Sequence, residues 1–378
     1  MSKAEYKRLG DYIRPVDVRN RDLKVNLSQG ICNAKYFQNP KQVADNPETH
    51  KIVRTGQFAY NRATTRNGEK ISIALREGPD CTVSSAYQVF EIVDENQLDP
   101  KYLMMWFKRP EFDRLAIYYS HGSAHEFFEW DAMCDVKLPV PPINCQRKIV
   151  SEYETLTNRI RLNEQMIAKL EETAQALYRK MFVDGVDKEN LPVGWRKGRI
   201  GDFCIEMKSG GTPSRSRNDY WDKKDYPWLK SGEIHNNIIV SVEEFISQAG
   251  LDNSSAKIIP QGAVLMAMYG ATAAQVAYLN CDTTTNQACC NMICHSKEDA
   301  AYLFFHLLAN QEDIKKLANG GAQENLSQEL IAQQPIILFN DKDKKAMFVP
   351  ILDNLIVKYR ENEKLTELHS LLLAKMGK

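Results

Sequence analysis

Between residues 146 and 182 the apolar positions fall into one frame: Ile149, Tyr153, Leu156, Ile160, Asn163, Ile167, Leu170, Ala174, Leu177 and Met181 alternate in steps of four and three. That is the 3.5-residue spacing of a coiled-coil seam, which keeps an apolar stripe facing a partner helix over many turns. The spacing predicts a helix of about 37 residues, about 55 Å long at 1.5 Å per residue. VDGVD at 183–187 ends it. Asn163 is the one polar seam position, a residue type that fixes register. The segment 343–376 carries Phe348, Leu352, Leu355, Tyr359, Asn362, Thr366, His369, Leu373 and Met376 in the same frame, 199 positions on. Asn362 there stands at the repeat position of Asn163, while Leu365, Leu368 and Leu372 offer a competing stripe. Either the two helices pair, or each packs on its own domain.

Elsewhere the apolar runs are short. Residues 56–64 (GQFAYNRAT), 70–76 (KISIALR), 81–93 (CTVSSAYQVFEIV) and 135–142 (DVKLPVPP) read as strands around a helix at 99–117, broken by Pro110. In 191–340 the mixture returns, with strands at 262–270, 275–280 and 286–294 and a helix at 298–318. DPKYLMMWF (99–107) recurs as EDAAYLFFHL (298–307), and GSAHEFF (122–128) as GGAQENL (320–326). Tyr102-Leu103 and Tyr302-Leu303 are 200 positions apart, far beyond the roughly 20–50 residues of a solenoid unit. The expected fold class is α+β. Two homologous domains of mixed, mostly antiparallel or barrel-like sheet alternate with two long helices, which run antiparallel if a two-fold relates the repeats. The segments are 1–144, 145–183, 184–340 and 341–378.

Composition narrows the function classes. Forty-nine acids balance 49 Lys plus Arg, so net charge argues neither for nor against nucleic acid, although a lone DNA-binding domain is usually basic. The nine cysteines form no C-x-x-C pair, which favours reduced thiols in a cytoplasmic protein over disulfides or a metal site. The N-terminus lacks a secretory h-region, and no apolar run reaches the roughly 18 residues of a membrane span. Phosphate-binding, dinucleotide, zinc-protease and nucleophile-elbow motifs are absent. Catalysis by this chain alone is therefore not expected.

The polar loops carry the candidate chemistry. MKSGGTPSRSRNDYWDKKDYPWLKSGEI (207–234) holds Gly210-Gly211 and Thr212-Pro213-Ser214, whose amides and hydroxyls suit a phosphate, with Arg215, Arg217, Lys223, Lys224 and Lys230 as cations. An ordinary Gly/Pro/Ser loop with a solvated rim fits the same residues. Thr283-Thr284-Thr285-Asn286-Gln287 offers Asn and Gln for reading adenine or, equally, for capping a buried turn. In YNRATTRNGEK (60–70), Arg62, Arg66 and Lys70 sit in a turn-rich segment shaped to enter a groove. His121, Ser123, His125 and Glu126 share the repeated GSAHE turn without the context a hydrolase needs.

Taken together, LPVGW (191–195), GGTPS…YW…PW, YGAT…TTNQ and ENLS in the second half, with GQFAYNRATTRNGEKISIAL, DPKYLMMWFKRPEFDR, HGSAHEFFEW and LPVPPINCQRKIV in the first, resemble the specificity subunit of a type I restriction–modification system. The likeness spans nearly the whole chain. It implies two target-recognition domains, each reading half of a bipartite site in double-stranded DNA, and helices that set the spacer and dock two methyltransferase subunits. S-adenosylmethionine would serve those subunits, ATP and Mg a motor-nuclease subunit, and this chain would bind no cofactor. On this reading the DNA-facing residues are Arg54, Tyr60, Asn61, Arg62, Arg66, Asn67, Lys70, Ser123 and His125 in the first domain. In the second they are Lys208, Ser209, Gly211, Thr212, Ser214, Arg215, Arg217, Lys230, Tyr269, Thr285, Asn286, Gln323 and Asn325. The helix interface is Ile149, Leu156, Ile160, Asn163, Ile167, Leu170, Leu177, Leu352, Leu355, Tyr359 and Asn362. One departure is that the second exit, PIILFNDKDKK, lacks the Pro-Pro-x-x-x-Gln that opens the first helix. A coiled-coil scaffold with no DNA role is the rival from another class.

Overall fold

The computed structural model describes residues 5–40, 46–63, 70–120, 127–187, 189–318 and 325–377. The chain forms two compact units, Met1–Arg159 with Leu365–Lys378, and Ile160–Lys364. Both boundaries fall inside the long helices, Ile143–Phe182 and Val349–Lys375.

In the first unit, strands Ile13–Val16, Tyr87–Ile92, Phe58–Asn61 and Ile73–Leu75 form one antiparallel sheet in that order. Both of its faces are covered. Phe58, Tyr60 and Phe90 pack on the helical side, while Ala59, Ala74 and Val89 pack with Val53, Cys81 and Val83 on the other. Phe58 and Phe90 stack at 4.9 Å, and Phe107 meets Phe58 edge-on at 5.8 Å. Asp99 caps the helix Pro100–Phe107 by accepting from the amides of Lys101 and Tyr102, with proline at the first position. Pro110 does not merely interrupt a helix; it opens a second one, Pro110–Tyr118, for the same reason. The expected strand at 81–93 is two, Cys81–Val83 and Tyr87–Ile92, in different sheets.

The second unit repeats this order. Glu206–Ser209, Cys289–Ile293, Val264–Ala267 and Val276–Leu279 are antiparallel, and Asn237–Ile239 is added in parallel at the edge. A companion sheet runs Glu244–Ile246, Tyr226–Leu229, Thr283–Thr285, Ile258–Ile259. The helix expected at 298–318 divides into Lys297–Ala309 and Gln311–Ala318. Each unit also closes its entry strand on its exit strand: Tyr6–Arg8 on Lys137–Pro139, and Trp195–Arg199 on Pro335–Phe339. In both, a buried tyrosine hydroxyl donates to the exit strand, Tyr102 to Pro139 O (3.2 Å) and Tyr302 to Ile337 O (3.0 Å).

The seam frame is the packed stripe of each helix, and the pairing is antiparallel. In the first unit Val150 and Tyr153 share a core with Met376, flanked by Ile149, Leu372 and Leu373. The Tyr153 ring stacks on His369 at 3.9 Å. In the second, Ile167, Ala174 and Phe182 share a core with Phe348, Leu352 and Leu355, flanked by Leu170, Leu177 and Tyr359. There Asn163, fully buried, donates from Nδ2 to Asn362 Oδ1 at 2.9 Å. Leu156 and Ile160 are half-buried. Of the competing stripe, Leu368 is exposed.

The two exits differ as their sequences do. Gln146 is fully buried. Its Oε1 accepts from Asp99 N (2.9 Å), and its Nε2 donates to Gln97 O (2.9 Å) and Pro141 O (2.8 Å). That is the physical role of the glutamine in Pro-Pro-x-x-x-Gln. In the second unit Lys345, 199 positions on, instead pairs with Asp299 at 2.7 Å. A short helix, Lys342–Ala346, capped by Asp341, precedes the long one, which begins later than the expected 343.

Candidate nucleic-acid interface

One end of the five-stranded sheet gathers five of the second unit's candidates. Backbone bonds run from Asn286 N to Leu229 O (3.0 Å), Met268 N to Ala288 O (2.8 Å) and Leu326 N to Met268 O (2.8 Å), with a bridge between Tyr269 and Asn325. Ser209, at the end of its strand, donates to Gln328 Oε1 (3.1 Å), and exposed Thr212 bonds to Gln287. Ser209, Thr212, Asn286, Tyr269 and Asn325 therefore lie along a single rim. Tyr269 is 43% exposed there. Asn286 is a turn residue: its Oδ1 accepts from Ala288 N (3.2 Å).

The cations of 215–230 stand on the companion sheet. The Arg215 guanidinium lies 3.6 Å from the Trp221 ring and 4.9 Å from Trp228, and donates to Glu244 Oε2 at 2.6 Å. Arg217 holds Asp219 in a two-point pair (2.9 and 2.8 Å) and lies over Tyr220. Lys230 sits between Glu243 (2.9 Å) and Glu244 (3.0 Å). Lys208 pairs with Glu206 at 2.9 Å. Arg215 keeps the Glu244 carboxyl below its ordinary range, and the two glutamates raise Lys230. Surface pairs of this kind are worth little in water, so an incoming phosphate can take over the cation. Ser214 exchanges a hydrogen bond with Ser216 at 2.8 Å. The tryptophan clamp and Glu244 are the parts sequence reading missed; the signal was aromatic residues interleaved with cations in YWDKKDYPW.

Three candidates are interior, and the structure corrects them. Gly211 is buried, with its amide donating to Thr285 O at 2.8 Å. A Cβ at Gly210 would lie 2.0 Å from that oxygen, and one at Gly211 2.2 Å from Ser255 Oγ. The glycines serve close packing, not an anion. Thr285 is fully buried, its Oγ1 accepting from Asn291 Nδ2 at 2.9 Å. Tyr60 is fully buried, because its strand is covered on both faces. Burial pushes its hydroxyl pKa far up.

In the first unit the equivalent rim is a bridge between Ala63 and Phe127, with Phe128 N donating to Arg62 O (2.9 Å). Arg62 lies over the Phe127 ring (5.8 Å) and reaches Glu129 at 3.3 Å. Asn61, half-buried, accepts from Ala63 N. Lys70 is exposed nearby in sequence, whereas exposed Arg54 precedes the strand Phe58–Asn61 that Arg62 follows. Arg66, Asn67, Ser123, His125 and Gln323 lie outside the described residues. Among the described residues no group of three His, Cys, Asp or Glu is placed to hold a metal, and no helix is long and apolar enough to cross a membrane.

Comparison with known proteins follows this duplication. The family model for the type I restriction modification DNA specificity domain matches residues 12–172 and again 192–369. The specificity subunit of the type I restriction enzyme HindI from Haemophilus influenzae is 22% identical, over 92% of this chain and 91% of its own. That of EcoR124I/EcoR124II from Escherichia coli is 23% identical, over 71% and 66%. The crystal structure of an S subunit from the type I restriction–modification system of M. genitalium superposes with a TM-score of 0.62 at 12% identity, covering 100% of this chain and 97% of that one. The shared fold is therefore the whole two-repeat architecture.

Proposed function

The chain belongs to the type I restriction–modification DNA specificity family, and from that premise we propose that it directs partner methyltransferases to a two-part sequence in double-stranded DNA. Each unit reads one half-site: the first through residues around Arg62 and Lys70, and the second through the rim residues Thr212, Tyr269 and Asn325 together with the cations Arg215, Arg217 and Lys230 of the companion sheet. The chain itself performs no reaction and holds no cofactor. Two methyltransferase subunits, using S-adenosylmethionine, dock on the paired helices, and a motor-nuclease subunit using ATP and Mg joins for cleavage. The helices set the gap between half-sites, since a helix pair holds its length where a loop does not.

The observation that carries this reading is the duplicated sheet order, with corresponding bridges, Ala63 to Phe127 and Tyr269 to Asn325, at the rim of each copy. The test is methylation mapping in a methylation-free host, with the cognate methyltransferase, after replacing 184–340 by another such domain. One half of the methylated motif should change and the other persist. A change in both halves, or no two-part motif with the parent chain, would refute it.

A further inference from the structure

The helix that follows the Tyr-Leu helix is tied to the sheet in two chemically different ways. In the second unit the tie is neutral. Asn236 and Gln311 exchange two amide hydrogen bonds, both 2.9 Å, and Asn236 Oδ1 also accepts from Val276 N at 3.0 Å. At the matching place in the first unit stands an ion pair. Lys35 Nζ lies 2.7 Å from Asp113 Oδ1, with the two side chains only 5% and 10% exposed. That oxygen accepts from Ile71 N at 3.1 Å, and Lys35 also donates to Phe107 O. The match extends to the backbone: Lys35 and Asn236 both hold a positive φ, 66° and 58°.

A neutral amide pair therefore suffices for this fold. The first unit instead buries two charges, which costs desolvation, and gathers further cations beside them. Lys70, Lys108 and Arg114 line the same pocket of about 350 Å³, together with Asn33, Ala34 and Pro110. Asp113 is the one carboxylate among these lining residues, and it is already engaged by Lys35 and the Ile71 amide. Arg114 touches Glu111 only loosely, at 3.5 Å. Lys108 Nζ lies 5.2 Å from the Tyr153 ring. Burial holds Lys35 below the ordinary lysine pKa; Asp113 opposes this, and Lys70 and Lys108 add to it. Among the described lining residues the cations outnumber the one carboxylate, although Glu111 faces Arg114 and Glu77 acts on Lys108 from outside the lining; that excess on a concave wall leaves a focused positive field. Ammonium and guanidinium groups together are the donor set of a phosphate site.

We propose that this pocket binds a phosphate group, held by Lys70, Lys108 and Arg114 over a floor formed by the Lys35–Asp113 pair. The phosphate is either part of the DNA backbone, which rests on the function proposed above, or belongs to a free phosphorylated small molecule, which does not.

The experiment titrates inorganic phosphate into the full chain, followed by phosphorus-31 NMR line width. In parallel, duplex binding by the chain with its methyltransferase partners is measured across a salt series. Both are repeated for Lys108→Gln/Arg114→Gln, which spares the Lys35–Asp113 tie; circular dichroism checks folding. If the double variant does not fold, Arg114→Gln alone, at a side chain 71% exposed, carries the same comparison. Saturable phosphate binding that weakens at least tenfold in the variant supports the pocket. A DNA source adds competition between phosphate and duplex, and a salt slope shallower by about 1 for each backbone phosphate that the variant no longer neutralises. A free ligand leaves the slope unchanged. Absence of saturable phosphate binding, with an unchanged slope in a folded variant, overturns the pocket. If the complex binds no DNA yet phosphate still saturates, the functional reading fails and the pocket stands.

Discussion

Gln146→Leu tests the tie between the first recognition unit and its long helix. The substitution keeps the side chain close to its original volume but removes three hydrogen bonds, at 2.9, 2.9 and 2.8 Å, in a fully buried site. Asp99 N and the carbonyls of Gln97 and Pro141 are left without this partner. At about 1 kcal/mol for each bond the unit loses about 3 kcal/mol, a large share of the roughly 5–15 kcal/mol that holds a domain folded. Hydrogen exchange read by mass spectrometry on the peptide 99–107 should quicken by about a hundredfold, since each 1.4 kcal/mol is about a factor of ten. The peptide 298–307, in the other unit, should not change. Gln146→Lys should recover part of the loss, because Lys345 makes the corresponding tie to Asp299 at 2.7 Å, between side chains each 14% exposed. The Asp99 oxygen Oδ1 is committed to capping the helix, so the new ammonium must use Oδ2. Exchange altered less than fivefold in Gln146→Leu, or a lysine no better than leucine, would refute the reasoning.

Two further outcomes follow from the buried polar groups and the glycine turn. His306 is buried, with Nδ1 2.7 Å from the Tyr178 hydroxyl, and burial lowers its pKa from 6.5 to about 4. As pH falls the unfolded chain takes up this proton first, so His306 makes stability decline between about pH 6.5 and 4 and is neutral above. The amplitude is at most about 3 kcal/mol. Urea midpoints across that window should show His306→Phe with a flatter profile, and identical profiles would sink the assignment. Gly211→Ala places a methyl 2.2 Å from Ser255 Oγ and 2.5 Å from Ala256 N, so backbone must move at a cost of about 3 kcal/mol. Methylation mapping should then show the second unit's half-site lost or relaxed; wild-type stability and specificity would mean the turn is not packed as described.

Much of this architecture was legible in the chain. A helix seam depends on spacing along one backbone, so the 3.5-residue frame located both long helices and placed Asn163 opposite Asn362 before any contact was known. Internal repetition likewise carries topology: the two Tyr-Leu helices and their exit strands stand where the offset of about 200 residues puts them. What alternation cannot say is whether the second face of a strand is covered, because the covering sheet comes from distant sequence. Tyr60 and Thr285 read as loop-edge contacts yet are interior for that reason. Charge is decided in the same way. Arg215 and Lys230 read as cations of a polar loop, but their partner Glu244 reaches them only once Tyr226–Leu229 and Glu244–Ile246 pair. Lys35 carries no signal along the chain; only folding brings it to Asp113 and sets Lys70, Lys108 and Arg114 around one pocket. Local spacing determined the helices and the repeat, whereas burial and ion pairing, which depend on what lies across a few ångströms of space, were decided by the tertiary structure.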